Sequence, residues 1–288
     1  MSPAVSFAWS ICSGEGAGLW TFDLWITAPL LLAAALYATG IGRLWRRAGT
    51  GRGILAGQAG CYAAGWLILV LALVSPIHRW GTGLFAIHMT EHELVMAAAA
   101  PLLVMGRPGG AFAWALPSGL RRGLPLLLRR SGLRTAWTAL TRPLTATVIQ
   151  GIAIWVWHAP ALFDTAVANV MLHRLQHVSF LVTGLLFWWA LIRRRNSGAA
   201  AAYVSATMLH TSILGAVIAL APQILYRLQT ERAAEWGITP LEDQQLAGLI
   251  MWIPAGLVYA GTALFFFAAW VKRSGAARLA PANAEIYD

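Results

Sequence analysis

Charge is what this chain has least of. Asp, Glu, Lys and Arg make up 11% of its 288 residues, against roughly 25% in a soluble domain. Hydrophobic residues reach 58% and the mean hydropathy is +0.63. Together these exclude a soluble globular class. Cysteine is nearly missing too. Cys12 and Cys61 form no CxxC, and Cys61 falls inside an apolar run. That pattern argues against a disulfide framework and against thiol chemistry. The first nineteen residues have no basic leading region and no convincing small-residue cleavage site, so they are expected to be retained. There is no lipidation motif, internal repeat or low-complexity segment.

What is present is a series of long apolar runs. A span needs about 20 predominantly apolar residues, and seven stretches meet that: 23–44, 53–75, 83–104, 143–163, 169–192, 199–221 and 244–271. The expected fold is therefore an all-α polytopic membrane protein with seven transmembrane helices. A short outer segment, 1–22, precedes a membrane domain, 23–271, and a cytoplasmic tail, 272–288, follows it. Ala56, Gly60 and Ala64 make a small-residue stripe suited to close helix contact. Pro254 is a candidate kink in the last helix. The 15 Trp fit interfacial belts. The aromatic runs Phe187-Trp-Trp189 and Phe265-Phe-Phe267 read as lipid-facing or core.

The net charge of +10 is topological. Seventeen of the 21 Lys and Arg fall in alternate loops or in the tail, and nine of the eleven acids fall on the other side. The positive-inside rule then puts the N-terminus outside and the C-terminus in the cytoplasm. The basic loops meet anionic lipid, not nucleic acid. Ser118 to Thr141 has the composition of a basic amphipathic helix lying on the inner leaflet. The outer loop 222–243 is polar and acidic, and reads equally as a docking site or a solvated loop.

Histidines carry the chemistry. His88-Met-Thr-Glu-His92 and His173-Arg-Leu-Gln-His177 each place two imidazoles on one helical face, one turn apart. His78 and His158 fall in the same outer half of the topology, His210 lies near the middle of the sixth helix, and none of the seven histidines is in the cytoplasmic half. A lone histidine here reads first as a hydrogen-bonded interfacial group. Two HxxxH pairs facing one leaflet read instead as a shared metal site, since ionisable groups in a span are functional by default. Imidazole suits copper, zinc and iron, and a thioether such as Met96 one turn below His92 favours Cu(I). Core packing competes for every Met, including Met89, Met171, Met208 and Met251. Glu91, Asp164 and Asp243 are candidates to orient imidazoles or attract a cation. Glu91 and Glu93 read alternatively as snorkelling groups or as partners of Arg79 or Arg174.

Two alternatives share these residues. His88-Met-Thr-Glu-His92 fits H-x-x-E-H, in which Glu91 would serve as general base of a membrane zinc metallohydrolase. A bis-histidine haem between the third and fifth helices is the other.

In order, the chain carries Ser75-Pro-Ile-His78, His88-Met-Thr-Glu-His-Glu-Leu-Val-Met96 with Ala100-Pro-Leu-Leu-Val-Met-Gly106, and Trp157-His-Ala-Pro-Ala-Leu-Phe-Asp164. His173-Arg-Leu-Gln-His-Val-Ser-Phe180, Met208-Leu-His210 and Leu241-Glu-Asp-Gln-Gln-Leu-Ala-Gly-Leu-Ile-Met-Trp252 follow. These blocks resemble the polytopic CtaG family of membrane assembly factors for cytochrome c oxidase, over helices two to seven. The resemblance implies a non-enzymatic role in oxidase maturation at a copper centre, with oxidase subunits as partners, in a bacterial cytoplasmic (inner) membrane. It supplies no ligand set. The ligands expected from the residues are His88, His92, His173 and His177, on the periplasmic or extracellular side and near the surface. His78, His158, His210, Glu91, Met96, Asp164 and Asp243 would be relay or supporting groups.

Overall fold

The computed structural model describes residues 20–123, 132–193 and 197–279. Among these residues there are helices and no strands. Helix α1 (Leu24–Ala48) starts where the Asp23 carboxylate accepts the Trp25 N–H at 2.9 Å, satisfying one of the free donors of a helix start. Helix α2 (Ala56–Leu73) follows, and then the short α3 (Pro76–Gly81), with Ser75 as its cap and proline at its first position.

Helix α4 (Phe85–Met105) is continuous but not uniform. Phe85–Glu93 is α-helical, Leu94–Ala99 is a π-helical turn, and Ala100–Met105 is α-helical again. The Ala100 N–H reaches five residues back, to the Val95 carbonyl. Pro101 accounts for the widening, because it has no N–H and its ring would press on the carbonyl four residues earlier. The Met96 carbonyl then loses its helical donor. The Trp188 indole supplies one from α9, Nε1 to O at 2.8 Å, as a buried carbonyl requires.

Helices α5 (Pro108–Ala115), α6 (Leu133–Leu140), α7 (Pro143–Trp157), α8 (Pro160–Ala168), α9 (Val170–Ile192), α10 (Ser197–Ala219), α11 (Arg227–Thr230) and α12 (Pro240–Leu279) complete the order. Five of them, α1, α2, α9, α10 and α12, are long and apolar enough to cross a membrane. The pair α4 and α5, bent by 59°, and the pair α6 and α7, bent by 72°, bring the number to as many as seven. The seven apolar runs of the sequence thus map onto the seven candidates in order.

Four local expectations change. The fourth helix, expected to reach about residue 163, stops at Trp157, because Pro160 forces Ala159 out of the helical region (φ −62°, ψ 122°). Ala56, Gly60 and Ala64 are exposed. The close contact of α2 is made one residue on, at Gly65, where a Cβ would lie 2.9 Å from the Ala99 carbonyl oxygen of α4. Part of the proposed amphipathic stretch, 124–131, lies outside the described residues, as do Cys12 and most of the N-terminal and C-terminal segments. The acidic loop is not a solvated strand of chain. It folds into α11 and a 3₁₀ turn (Ala233–Trp236) and packs on the bundle. Helix α12 continues unbroken past residue 271.

Lipid gives apolar helices no hydrophobic reason to associate, so close approach and polar links hold the bundle. In α10 and α12, Gly215 and Gly248 face each other so closely that a Cβ on Gly248 would collide with the Ala219 backbone. Asp23 and Arg174 tie the start of α1 to α9 at 2.5 Å. Asp243 reaches from α12 to accept the Phe85 and Ala86 N–H groups at 2.8 and 2.9 Å. This caps α4 in trans, favourably with the helix dipole.

Candidate metal centre

Capped by Asp243, α4 presents His88 and His92 one turn apart on its buried side, with residue exposures of 2% and 1%. Helix α9 is capped by Asn169, which accepts the Met171 and Leu172 N–H groups. It presents His173 and His177 toward the same space. The two helices are adjacent. The His88 and His173 rings stack at 5.3 Å, and His92 and His177 meet at 5.0 Å. His173 Nε2 and His177 Nε2 are 3.0 Å apart. One ring nitrogen from each of His88, His173 and His177 lies within 4.8 Å of the others. Tetrahedral ligation at about 2.0 Å puts nitrogens about 3.3 Å apart, so this spacing needs only small ring rotations to hold one ion.

Two further histidines join them. His158 ends α7 and sits 6.2 Å from His92. Its Nδ1 is 2.7 Å from the Ile154 carbonyl. A carbonyl only accepts, so Nδ1 carries the proton and Nε2 keeps its lone pair. His78, on α3, stacks at 6.0 Å on His173 and bonds through Nδ1 to Glu91 Oε1 at 2.8 Å. The same carboxylate oxygen is 3.6 Å from His177 Nδ1. A carboxylate behind an imidazole fixes its tautomer and raises its basicity, the arrangement found behind metal-bound histidines. Burial lowers the His78 pKa, but the Glu91 charge and hydrogen bond outweigh it and leave the net shift upward.

Five buried ring nitrogens, His88 Nε2, His92 Nδ1 and Nε2, His158 Nε2 and His177 Nδ1, have no hydrogen-bond partner. An unmet buried polar atom costs about 1–3 kcal/mol. Several imidazole nitrogens converging on one space are the donor set a borderline or soft metal ion takes.

Phe163 and Phe180 collar the rings, at 5.5 Å from His88 and 4.8 Å from His92. The acidic loop closes the top. Tyr226 donates through its hydroxyl to the His158 carbonyl at 2.7 Å, and Gln229 Nε2 donates to the Gly81 carbonyl at 2.6 Å. Tyr226, Gln229 and both phenylalanines escaped the sequence reading, since nothing local distinguishes them from other core residues.

The remaining candidates sit elsewhere. His210 faces α7, where the Trp155 indole donates to its Nδ1 at 3.4 Å. Met96 packs in an apolar cluster with Met89, Met251 and Phe180, while Met171 is exposed. Both oxygens of Asp243 are spent on α4. Asp164 on α8 has one oxygen unpartnered; burial raises its pKa against the Leu228 N–H and Arg227. Glu91 is fully buried on His78 and does not snorkel, and Arg174 pairs with Asp23. Most of the cluster is buried, and only His173 and His177 keep partial exposure. The centre is therefore closed over except at these two residues.

An all-helical, multi-span bundle with six histidines and a carboxylate gathered at one end defines a polytopic membrane protein with a buried imidazole centre. The chain belongs to the cytochrome c oxidase caa3 assembly factor family, which it matches over residues 35–273. It is similar to the uncharacterized proteins Mb0105 of Mycobacterium bovis and MT0111 of Mycobacterium tuberculosis. Each is 33% identical over 184 residues, covering 60% of this chain and 26% of the relative. It is 27% identical over 273 residues to the uncharacterized protein ML1998 of Mycobacterium leprae, covering 88% of this chain and 40% of the relative. The chain thus spans between about a quarter and two fifths of the length of these relatives. No solved structure matches it.

Proposed function

We propose that this protein handles copper for the assembly of cytochrome c oxidase, taking the ion at its histidine centre and passing it to an oxidase subunit. The observation that carries the reading is the convergence of His88, His173 and His177 nitrogens within 4.8 Å, among buried ring nitrogens that nothing else satisfies. His92 completes the four-histidine set, and Glu91 and His78 hold His173 and His177 in place. Copper is cargo here, and it leaves by ligand exchange through the partly buried His173 and His177. The arginine pattern supports an outward-facing centre. The histidines lie at the ends of α4, α7 and α9 opposite Arg107, Arg142 and Arg193.

The metallohydrolase reading loses ground on geometry, because Glu91 is fully buried and engages imidazoles through Oε1, at 2.8 Å from His78 and 3.6 Å from His177. A haem is disfavoured because the imidazoles pack against one another and against Phe163 and Phe180, with no porphyrin-sized gap between α4 and α9.

The test is copper analysis and Cu(I) competition titration of the purified protein, His88→Ala and His173→Ala. Loss of a partner behind a ligand costs about 10–100-fold in metal affinity, so loss of a ligand should cost more than about 100-fold. Equal copper affinity in all three proteins would sink the site.

A further inference from the structure

Two of the clustered imidazoles are left over by the three-nitrogen site. The close group is His88, His173 and His177, and neither His92 nor His158 belongs to it. The rings of His92 and His158 lie 6.2 Å apart, at 82° to each other. Both residues are buried, at 1% and 3% exposure. The tautomer of His158 is fixed: Nδ1 donates to the Ile154 carbonyl, so Nε2 is a bare lone pair, and it meets no hydrogen-bond partner. The end of α7 that carries this ring is pinned by the Tyr226 hydroxyl on the His158 carbonyl. His92 is the opposite case. Neither of its ring nitrogens has a partner, so no hydrogen bond holds the ring, and it can turn without losing one. Its ring is 4.3 Å from His88 and 5.0 Å from His177 on one side, with His158 on the other.

What this pair would bind follows from its surroundings. Phe163 and Phe180 wall His158, at 6.2 and 6.0 Å, and Phe180 lies 4.8 Å from His92. The carboxylate of the cluster, Glu91, is engaged elsewhere, on His78 and His177. Two neutral imidazoles between aromatic walls give a dication neither counter-charge nor ligands enough. Zinc takes four ligands, and a bare charge in a dry site is costly. A monovalent d10 ion carries half the charge and accepts two nitrogens in line, and imidazole suits copper. We propose that His92 and His158 form a second, two-coordinate Cu(I) position, so that the centre holds two ions. The inference rests on the copper reading of His88, His173 and His177. With one ion bound, His92 is its fourth ligand. When a second enters, His92 swings the same nitrogen to His158, and the first ion keeps three ligands. One copper–nitrogen bond breaks at His92 and another forms there, and no proton or electron moves. Once the first ion has left through His173 and His177, the return of His92 draws the second into its place.

The experiment is anaerobic titration of the full chain in detergent with Cu(I) against a competing chelator. Copper is counted by mass spectrometry, and thermal unfolding shows that each variant is folded. Wild type should take two ions per chain. His158→Ala should take one, at the unchanged affinity of the first position. His173→Ala should weaken the first ion more than about 100-fold and keep the second. Copper X-ray absorption needs no variant: nitrogens per copper should fall from about four with one ion to about two and a half with two. A wild type that saturates at one ion, lost in His173→Ala, would overturn the second position and leave the copper reading standing. So would two ions retained in folded His158→Ala, or a coordination number that stays at about four throughout. No copper bound by wild type would overturn both readings.

Discussion

At the residue scale, the histidine centre turns on one carboxylate. Glu91 is fully buried and touches two imidazoles from two other elements. In sequence it is the fourth residue of H-x-x-E-H and invites a catalytic reading. In the fold it lies behind His78 and His177, where a carboxylate orients imidazoles. Glu91→Gln keeps the shape and removes the charge. It should lower Cu(I) affinity about 10–100-fold, the range for such supporting groups, while His210→Ala should leave it unchanged because His210 packs on α7. Chelator competition on both variants measures this, and an unchanged affinity in Glu91→Gln would remove Glu91 from the site. The HxxxH pairs were legible because helical spacing sets which side chains share a face. His78 and His158 were expected as supporting groups from their position, but their contacts were not legible, because both come from breaks in the chain path at Ser75-Pro76 and His158-Ala-Pro160.

At the scale of elements, α4 is the one most shaped by its neighbours. Its start is capped by Asp243, 157 residues on, and its π-helical turn is completed by Trp188. Asp243→Ala should destabilise the bundle by about 1–2 kcal/mol through loss of the cap. Asp243→Asn, which keeps one acceptor, should cost less. Thermal unfolding in detergent compares them. The same Ala substitution should weaken copper binding, since His88 sits on the turn that the cap secures. Equal melting of wild type and Asp243→Ala would show the cap to be idle. The end of α7 was not foreseen: the apolar run continues past Pro160 and hides the break, although Pro160 itself restricts Ala159. The expected contact stripe of α2 was misplaced for a related reason. Small residues mark where a close approach is possible, but only packing decides that Gly65, and not Gly60, meets α4.

At the scale of the whole molecule, histidines and arginines divide the bundle between its two ends. If the arginine-rich end is cytoplasmic, as the positive-inside rule requires, single cysteines placed at Trp236 and at Gly275 in a chain lacking Cys12 and Cys61 will label differently in intact cells. An impermeant maleimide should modify position 236 and spare 275. The reverse result would invert the protein and place the histidine centre inside.

Sequence alone determined the class, the apolar runs that become the candidate spans, the bias of basic charge and the pairing of imidazoles. Each follows from local rules: apolar length against bilayer thickness, basic residues against the positive-inside bias, imidazoles at helical spacing. Only the tertiary structure decided that α4 and α9 are adjacent, that six histidines share one space, that Glu91 supports imidazoles, and that the acidic loop closes over them. Those are contacts between elements far apart in the chain. In lipid such contacts rest on which small residues allow close approach and which buried polar groups find partners, and no local pattern encodes the pairing.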